Sequence, residues 1–420
     1  MGKTIVSIKG CQFLINGAPV YSELPGCPKQ MHGLLFNQRL IQGIFDDVGH
    51  RERYQRAGFP PFDPDENTAC LIASLPEWYA CGMRAFTIGL QGGGPVGLLD
   101  ANEVNFNPYG IDGTELAPDV MARLDQVIRA ADEMGMVVIV NLFYCAQVRK
   151  MKDGRAIRRA CINVARFCRE KAYTNILFDV ANEFNIDLCK EHQLINTSEG
   201  IITLIDLVHE ESGGMLTACS GGGGMMDNET AQAGDFVLIH GNGLTQGEYS
   251  DFVKRMQKWV PDKPVLCNED SPCFTRLDAA ARRGSSWGYY NNYTKQIPPC
   301  DFRITRGEDT FFARRMMRLL HIPLTPLPEE EQYVLQGLNP EEAFGDGMHA
   351  VRLAAEYPET IKCVRFLVNG TEMDISWCEP FFCDTKTTWY SLSFTPAPGD
   401  LWRAEIELID GRMLVREQTV

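Results

Sequence analysis

Two hydrophobic rhythms alternate along the chain. Near-continuous apolar runs, RAFTIGL, MVVIVNLFY, NILFDVA, MLTACS, DFVLIH and KPVLCN, read as strands buried on both faces. Between them lie amphipathic stretches with a helical period. Within 117–135, Val120, Leu124, Val127, Ile128 and Ala131 share one face and predict a helix that stops at Gly135. The same spacing predicts helices over 153–171, 199–211, 246–260, 274–283 and 308–320. A further helix starts at an Asn67 or Thr68 cap and ends near Gly82. GCQFLINGAPVYSEL predicts a hairpin turning at Asn16-Gly17 and leading to the first strand, with a long loop over 26–64; SSWGYY supplies the eighth strand. Strands and helices in such alternation predict an α/β fold of the (β/α)8 TIM-barrel type.

The rhythm changes near His321. IPLTPLPEEEQ is acidic and proline-rich. Beyond 354, CVRFLVNG, TTWYSLSFTPAPG and LWRAEIELIDG read as short strands, with turns at Asn369-Gly370 and Asp410-Gly411. The expected organisation is a catalytic barrel with its N-terminal hairpin over 1–325, a linker or strap over 326–353, and a small C-terminal β-sandwich domain over 354–420. A chain of 420 residues is long enough for one large and one small core.

Composition narrows the function classes. With 45% hydrophobic and 23% charged residues, the chain is neither disordered nor fibrous. A formal net charge of -15 argues against nucleic acid as a partner, because phosphate binding needs clustered Lys and Arg. No apolar stretch is long enough to span a bilayer, and the N-terminus lacks the pattern of a secretory signal. The 15 cysteines are scattered and form no CxxC pair, which fits a reducing cytoplasm better than a disulfide framework. Cys and His spacings match no common metal pattern, so no metal and no cofactor are expected.

The candidate chemistry sits at two strand ends. NILFDVANEFN delivers Glu183 and KPVLCNEDSPC delivers Glu269, each where the loops of α/β barrels carry catalytic groups. One carboxyl that protonates and one that attacks is the equipment of retaining glycoside hydrolysis. The competing structural reading is a glutamate that caps a helix or pairs with an arginine. Gln91, Asn141 and Tyr144 stand at further strand ends. Arg39, Asp46 and Asp47, within 34–47, form either a pocket wall or a solvated, salt-bridged loop. The runs QGGGP and SGGGG lack the spacing of phosphate-binding loops and read as sharp turns.

With Asn182-Glu183 ending the fourth strand, His240 after the sixth, Glu269 ending the seventh and Trp287 on the eighth, residues 13–320 resemble a clan A glycoside hydrolase of the cellulase-like group. The resemblance implies retaining cleavage of a β-glycosidic bond in a small oligosaccharide or glycoside. Glu183 would be the acid/base and Glu269 the nucleophile, with carboxyls about 5 to 5.5 Å apart. Asn182 would donate to the sugar 2-hydroxyl. His240 would either orient Glu269 or meet a sugar hydroxyl, and Trp287 would be either a sugar platform or barrel filler. The chain departs from the pattern at Thr87, where many relatives place an arginine ending the second strand. It departs again at Asn242, where an aromatic usually follows the histidine; Gln91, Asn141 and Tyr144 offer replacement contacts. Transglycosylation by the same carboxylates, and a barrel that binds sugar without turnover, remain open. So do a homo-oligomer and the role of the C-terminal domain, as carbohydrate binder or structural support.

Overall fold

The computed structural model describes residues 2–92, 104–186, 190–343, 347–384 and 394–420. An N-terminal hairpin of β1 (Val6–Lys9) and β2 (Gln12–Ile15), with β3 (Ala18–Pro19) beside β2, turns at Asn16-Gly17 as expected. The first parallel strand, β4 (Asn37–Arg39), lies inside the segment expected to be loop. Its three residues are polar and wholly buried, so no apolar run announces it. Burial also corrects the solvated-loop reading of 34–47.

The remaining parallel strands follow in chain order: β5 (Ala85–Gly89), β6 (Val137–Tyr144), β7 (Ile176–Asn182), β8 (Thr217–Ala218), β9 (Val237–His240), β10 (Val265–Glu269) and β11 (Gly288–Tyr289). Pairing gives a six-stranded parallel sheet, β11-β4-β5-β6-β7-β8, and a parallel β9-β10 pair. A parallel bridge between Leu266 and Ser286 and a 2.9 Å hydrogen bond from Asn37 Nδ2 to the Cys267 carbonyl tie β10 to the larger sheet. Between β8 and β9 the described residues form no ladder, only single contacts such as Asp235 N to Thr217 O at 2.9 Å. The architecture is mixed α/β with strands in TIM-barrel order, and a closed ladder is not seen.

Helices α1 (Pro64–Ala80), α2 (Pro118–Met134), α3 (Cys145–Val148), α4 (Gly154–Glu170), α5 (Gln193–Asn196), α6 (Ser198–Ser212), α7 (Asn228–Ala233), α8 (Gln246–Trp259), α9 (Phe274–Arg283) and α10 (Glu308–Leu319) cover the sheet. Asp63, not Asn67 or Thr68, caps α1. Its carboxylate accepts from Asp65 N and Glu66 N, with Pro64 pre-set in the first turn. Asn67 and Thr68 are instead buried and donate to the carbonyls of Gln42 and Gly43, pinning the β4–α1 connection.

The C-terminal part has two antiparallel sheets. One joins β12 (Tyr333–Gln336), β13 (Arg352–Ala355) and β16 (Phe381–Phe382). The other is ordered β15 (Thr371–Ser376), β14 (Ile361–Val368), β17 (Leu401–Leu408) and β18 (Met413–Thr419). A second apolar cluster, including Val351, Val364, Phe366, Trp402 and Ile406, fills the space between them. The segment expected to be a linker thus supplies β12, a structural strand. Most of the expected strand TTWYSLSFTPAPG, and glycines 93 and 94 of QGGGP, lie outside the described residues.

A buried ion pair and a hydrogen-bonded buried carboxylate fasten this part to the parallel-strand part. Glu308 grips Arg352 through two 2.9 Å contacts, and the Glu379 carboxylate accepts from Thr275 N (3.1 Å) and Thr275 Oγ1 (2.7 Å) at the start of α9. No helix among the described residues is long and apolar enough to cross a membrane. Cys145 is disulfide-bonded, while the other described cysteines are free thiols, which departs from the expectation of thiols throughout.

Breaking the Glu308–Arg352 pair should show how firmly the two parts are joined. Glu308→Ala leaves a guanidinium that is 2% exposed without its partner and should cost about 3–5 kcal/mol in denaturant unfolding. A loss below about 1 kcal/mol, the range of exposed pairs, would contradict a buried junction.

Candidate active site

The strand ends are shaped locally to present the two glutamates. Glu183 follows β7 with φ of 52°, a left-handed backbone that turns the chain sharply out of the strand. On β10 the register slips between Cys267 and Glu269, so that Glu269 rather than Asn268 lies opposite His240. A bulge of this kind re-aims a side chain at a strand end.

Arg39 organises what lies between them. Its Nε is 2.9 Å from Glu269 Oε2, off the N–H direction and therefore ionic in character, and its Nη2 donates to Asn182 Oδ1 at 2.7 Å. Asn242 Nδ2 donates to Glu269 Oε1 at 2.7 Å. His240 Nδ1 sits 3.0 Å from Glu183 Oε1 and 3.6 Å from Glu269 Oε2, so the imidazole is shared by both carboxylates rather than serving Glu269 alone. That nitrogen and one oxygen from each glutamate lie within 4.8 Å of one another. Such a donor set is compact enough for a cation, but the Arg39 guanidinium already stands against Glu269 in that role.

The electrostatics follow from burial and these partners. Burial pushes the Glu269 carboxyl up, but Arg39, His240 and Asn242 more than offset it and hold the group below its ordinary 4.5. Burial opposes charge on His240, yet Glu269 and Glu183 raise the ring above its ordinary 6.5. Beneath them Asp179 is wholly buried, and burial raises its carboxyl despite the nearby charges of His240 and Arg39.

Arg39, Asn182, Glu183, Asn242 and Glu269 line a cavity of about 310 Å³, joined by Tyr144, Tyr290, Asn292 and Gln296. A larger cleft of about 1050 Å³ lies between the residues before and along α1 and the C-terminal part. The smaller cavity is the candidate site because the perturbed groups converge there.

Of the residues expected at the site, Glu183, Glu269, Asn182, Asn242, Tyr144 and Arg39 line this cavity, and His240 bridges its carboxylates. Gln91 and Asn141 do not line it. Gln91 Oε1 accepts from Tyr144 N and its Nε2 donates to Asn107, while Asn141 Nδ2 donates to Asp179 in the floor. The platform reading of Trp287 is corrected. The ring is 0% exposed, donates to Asp270 Oδ2 at 2.8 Å and packs on Phe312, so it is packed into the wall and does not face the cavity. Asp46 pairs with Arg51, and Asp47 accepts from Tyr54 OH and Asn105 N, so both brace the loop. Asn292 and Gln296 were not anticipated; the only sequence signal is the cluster of aromatics and amides just after the eighth strand.

The position of Arg39 accounts for the departure at Thr87. The two residues are direct register partners on β4 and β5. The cation that reaches Glu269 therefore stands on the strand next to Thr87.

No protein-family model matches the chain, and no curated protein sequence does. Among the solved structures of similar shape are glycoside hydrolases. The β-mannanase of the blue mussel Mytilus edulis is 11% identical, with 75% of this chain and 96% of that one covered and a TM-score of 0.47. For the β-1,4-D-mannanase of Cryptopygus antarcticus the values are 12%, 74%, 94% and 0.49. A calcium-binding mutant of Bacteroides uniformis β-glucuronidase 2 is 10% identical over 99% of this chain and 47% of its own, with a TM-score of 0.45. This chain thus spans about half of that enzyme.

The opposite shifts of Glu269 and His240 set a pH window for stability. A depressed carboxyl stabilises the fold above its ordinary value and loses that contribution as pH falls through the folded value. A raised histidine contributes below its ordinary value and loses the contribution as pH rises through the folded one. Both are fully present between 4.5 and 6.5. His240→Gln, which cannot take the charge, should therefore lower Tm more at about pH 5.5 than at about pH 9. An equal loss at both would mean that the charge of His240 contributes nothing.

Proposed function

We propose that this protein is a retaining β-glycosidase acting on a small oligosaccharide or glycoside, with Glu183 as acid/base and Glu269 as nucleophile. The observation that carries the reading is a pair of glutamates facing one small cavity, with an oxygen of each within 4.8 Å of the other. That approach is in keeping with the roughly 5–5.5 Å carboxyl separation of retaining enzymes more than with the roughly 6.5–9.5 Å that leaves room for water in inverting ones. The ring order of the eight parallel strands supports a closed (β/α)8 barrel as the frame.

The chemistry divides between unlike surroundings. Glu269, kept ionised by Arg39 and His240, attacks the anomeric carbon as the glycosidic C–O bond breaks. Glu183 gives its proton to the leaving oxygen. In the second step water attacks the same carbon, Glu183 takes the water proton, and the Glu269 carboxylate is released. Because Asn182 Oδ1 accepts from Arg39, its amide is turned so that Nδ2 remains to donate to the sugar 2-hydroxyl. A cavity near the lower end of ligand-site volumes favours a short glycone over a polymer. The free thiols support a reducing compartment such as the cytoplasm, against which stands the disulfide at Cys145.

The test is hydrolysis of a panel of activated aryl β-glycosides by wild type and Glu269→Ala, with and without azide. Wild type should release phenol, and the variant should lose turnover by several orders of magnitude. Azide should restore activity as a glycosyl azide of inverted configuration. Wild-type rates in Glu269→Ala would remove the nucleophile assignment.

A further inference from the structure

Left-handed backbone at a non-glycine residue is strained and persists only where neighbours hold it. Glu183, at φ 52°, is such a residue. The hold comes from Ser220, just after β8. Ser220 Oγ accepts from Glu183 N at 3.3 Å, and its carbonyl accepts from Phe184 N at 3.1 Å. Two successive N–H groups of the turn therefore end on one residue.

Ser220 is itself fixed by Asp179. Its backbone N donates to Asp179 Oδ1 at 3.0 Å, and its hydroxyl lies 3.1 Å from Oδ2. Asn141 completes the carboxylate with a 3.0 Å bond to Oδ2. Asp179 and Ser220 are both 0% exposed, and neither lines the cavity. A buried carboxyl is expensive unless its hydrogen bonds are made, and here two of them go to Ser220. The glycines after Ser220 keep the chain close. A Cβ at Gly221 would come within 2.2 Å of the Met225 carbonyl, and one at Gly223 within 2.3 Å of the Asn242 carbonyl.

We propose that Asp179 and Ser220 form a positioning clamp on the backbone of Glu183 that sets where its carboxyl meets the leaving oxygen. The proposal rests on the acid/base reading of Glu183. Neither residue touches the reacting atoms; both act through the turn that carries the acid.

Leaving-group dependence separates this role from general support of the fold. Dinitrophenolate departs without protonation, whereas phenolate needs the acid. The measurement is kcat/KM for phenyl and 2,4-dinitrophenyl glycosides of the sugar that wild type hydrolyses fastest. Ser220→Ala should lower the phenyl value about 10- to 100-fold and the dinitrophenyl value by less than about threefold. Ser220→Thr, which keeps a hydroxyl, should recover most of the loss. Asp179→Asn should show the same selectivity and serves if Ser220→Ala is poorly soluble. Equal losses on both substrates, or no loss on the phenyl glycoside, would overturn the clamp. Glu183→Ala on the same pair distinguishes the failures. If it shows the selective loss and Ser220→Ala does not, only the clamp falls. If it lacks that selectivity, or wild type turns over neither glycoside, the acid assignment falls and the clamp with it.

Discussion

The arrangement of the site depends on one buried cation. Asp179, within β7, and Glu269, at the end of β10, converge on Arg39, and buried carboxylates so placed cannot both remain ionised without positive charge among them. A pair of unit charges 4 Å apart is worth about 4 kcal/mol at the effective dielectric of a protein. Arg39 supplies that interaction to Glu269 and, through Asn182, fixes the residue beside Glu183. The His240 ring, raised above its ordinary 6.5 by these carboxylates, faces both glutamates. The cation is 1% exposed, so water does little to screen it.

Much of this was legible in the chain because strand ends in α/β folds are predictable places. The apolar runs before Glu183, His240 and Glu269 are long enough to mark buried strands, and the three residues do converge. Pattern reading fails where buried strands are polar. Asn37, Gln38 and Arg39 form the first parallel strand with no apolar signal, so the residue that organises the charges looked like part of a loop. The interior near it is polar as well, with Thr87, Asn141, Asp179 and Asn268 all 0% exposed. Hydrophobic periodicity carries no information about such a floor.

Trp287 failed for a different reason. It stands immediately before β11, but whether an indole faces the cavity or the wall turns on its partner. Asp270, next to Glu269, accepts its N–H and draws the ring into the wall. The cavity aromatics are Tyr144 and Tyr290, and Tyr290 lies beneath the Arg39 guanidinium at 5.3 Å from its ring centre. Asn292 and Gln296 escaped notice because loop residues have no period to read.

That loop gives the C-terminal part its bearing on the site. Within it Lys295, 0% exposed, holds Asp309 at 2.7 Å, and Tyr293 and Ile297 pack with Ala350 and Phe382 of the C-terminal part in a small cluster of their own. Arg352, gripped by Glu308, stacks 4.0 Å from the Tyr293 ring centre. The same segment carries Asn292 and Gln296 into the cavity. One wall of the site is therefore braced from behind by a second core. Preorganised polar groups act without reorganisation only when their support is rigid. A loop held on one side by the parallel-strand part and on the other by the buried Glu308–Arg352 pair of β13 meets that condition, whereas a loop tethered on one side alone would keep its polar groups at the cost of its rigidity.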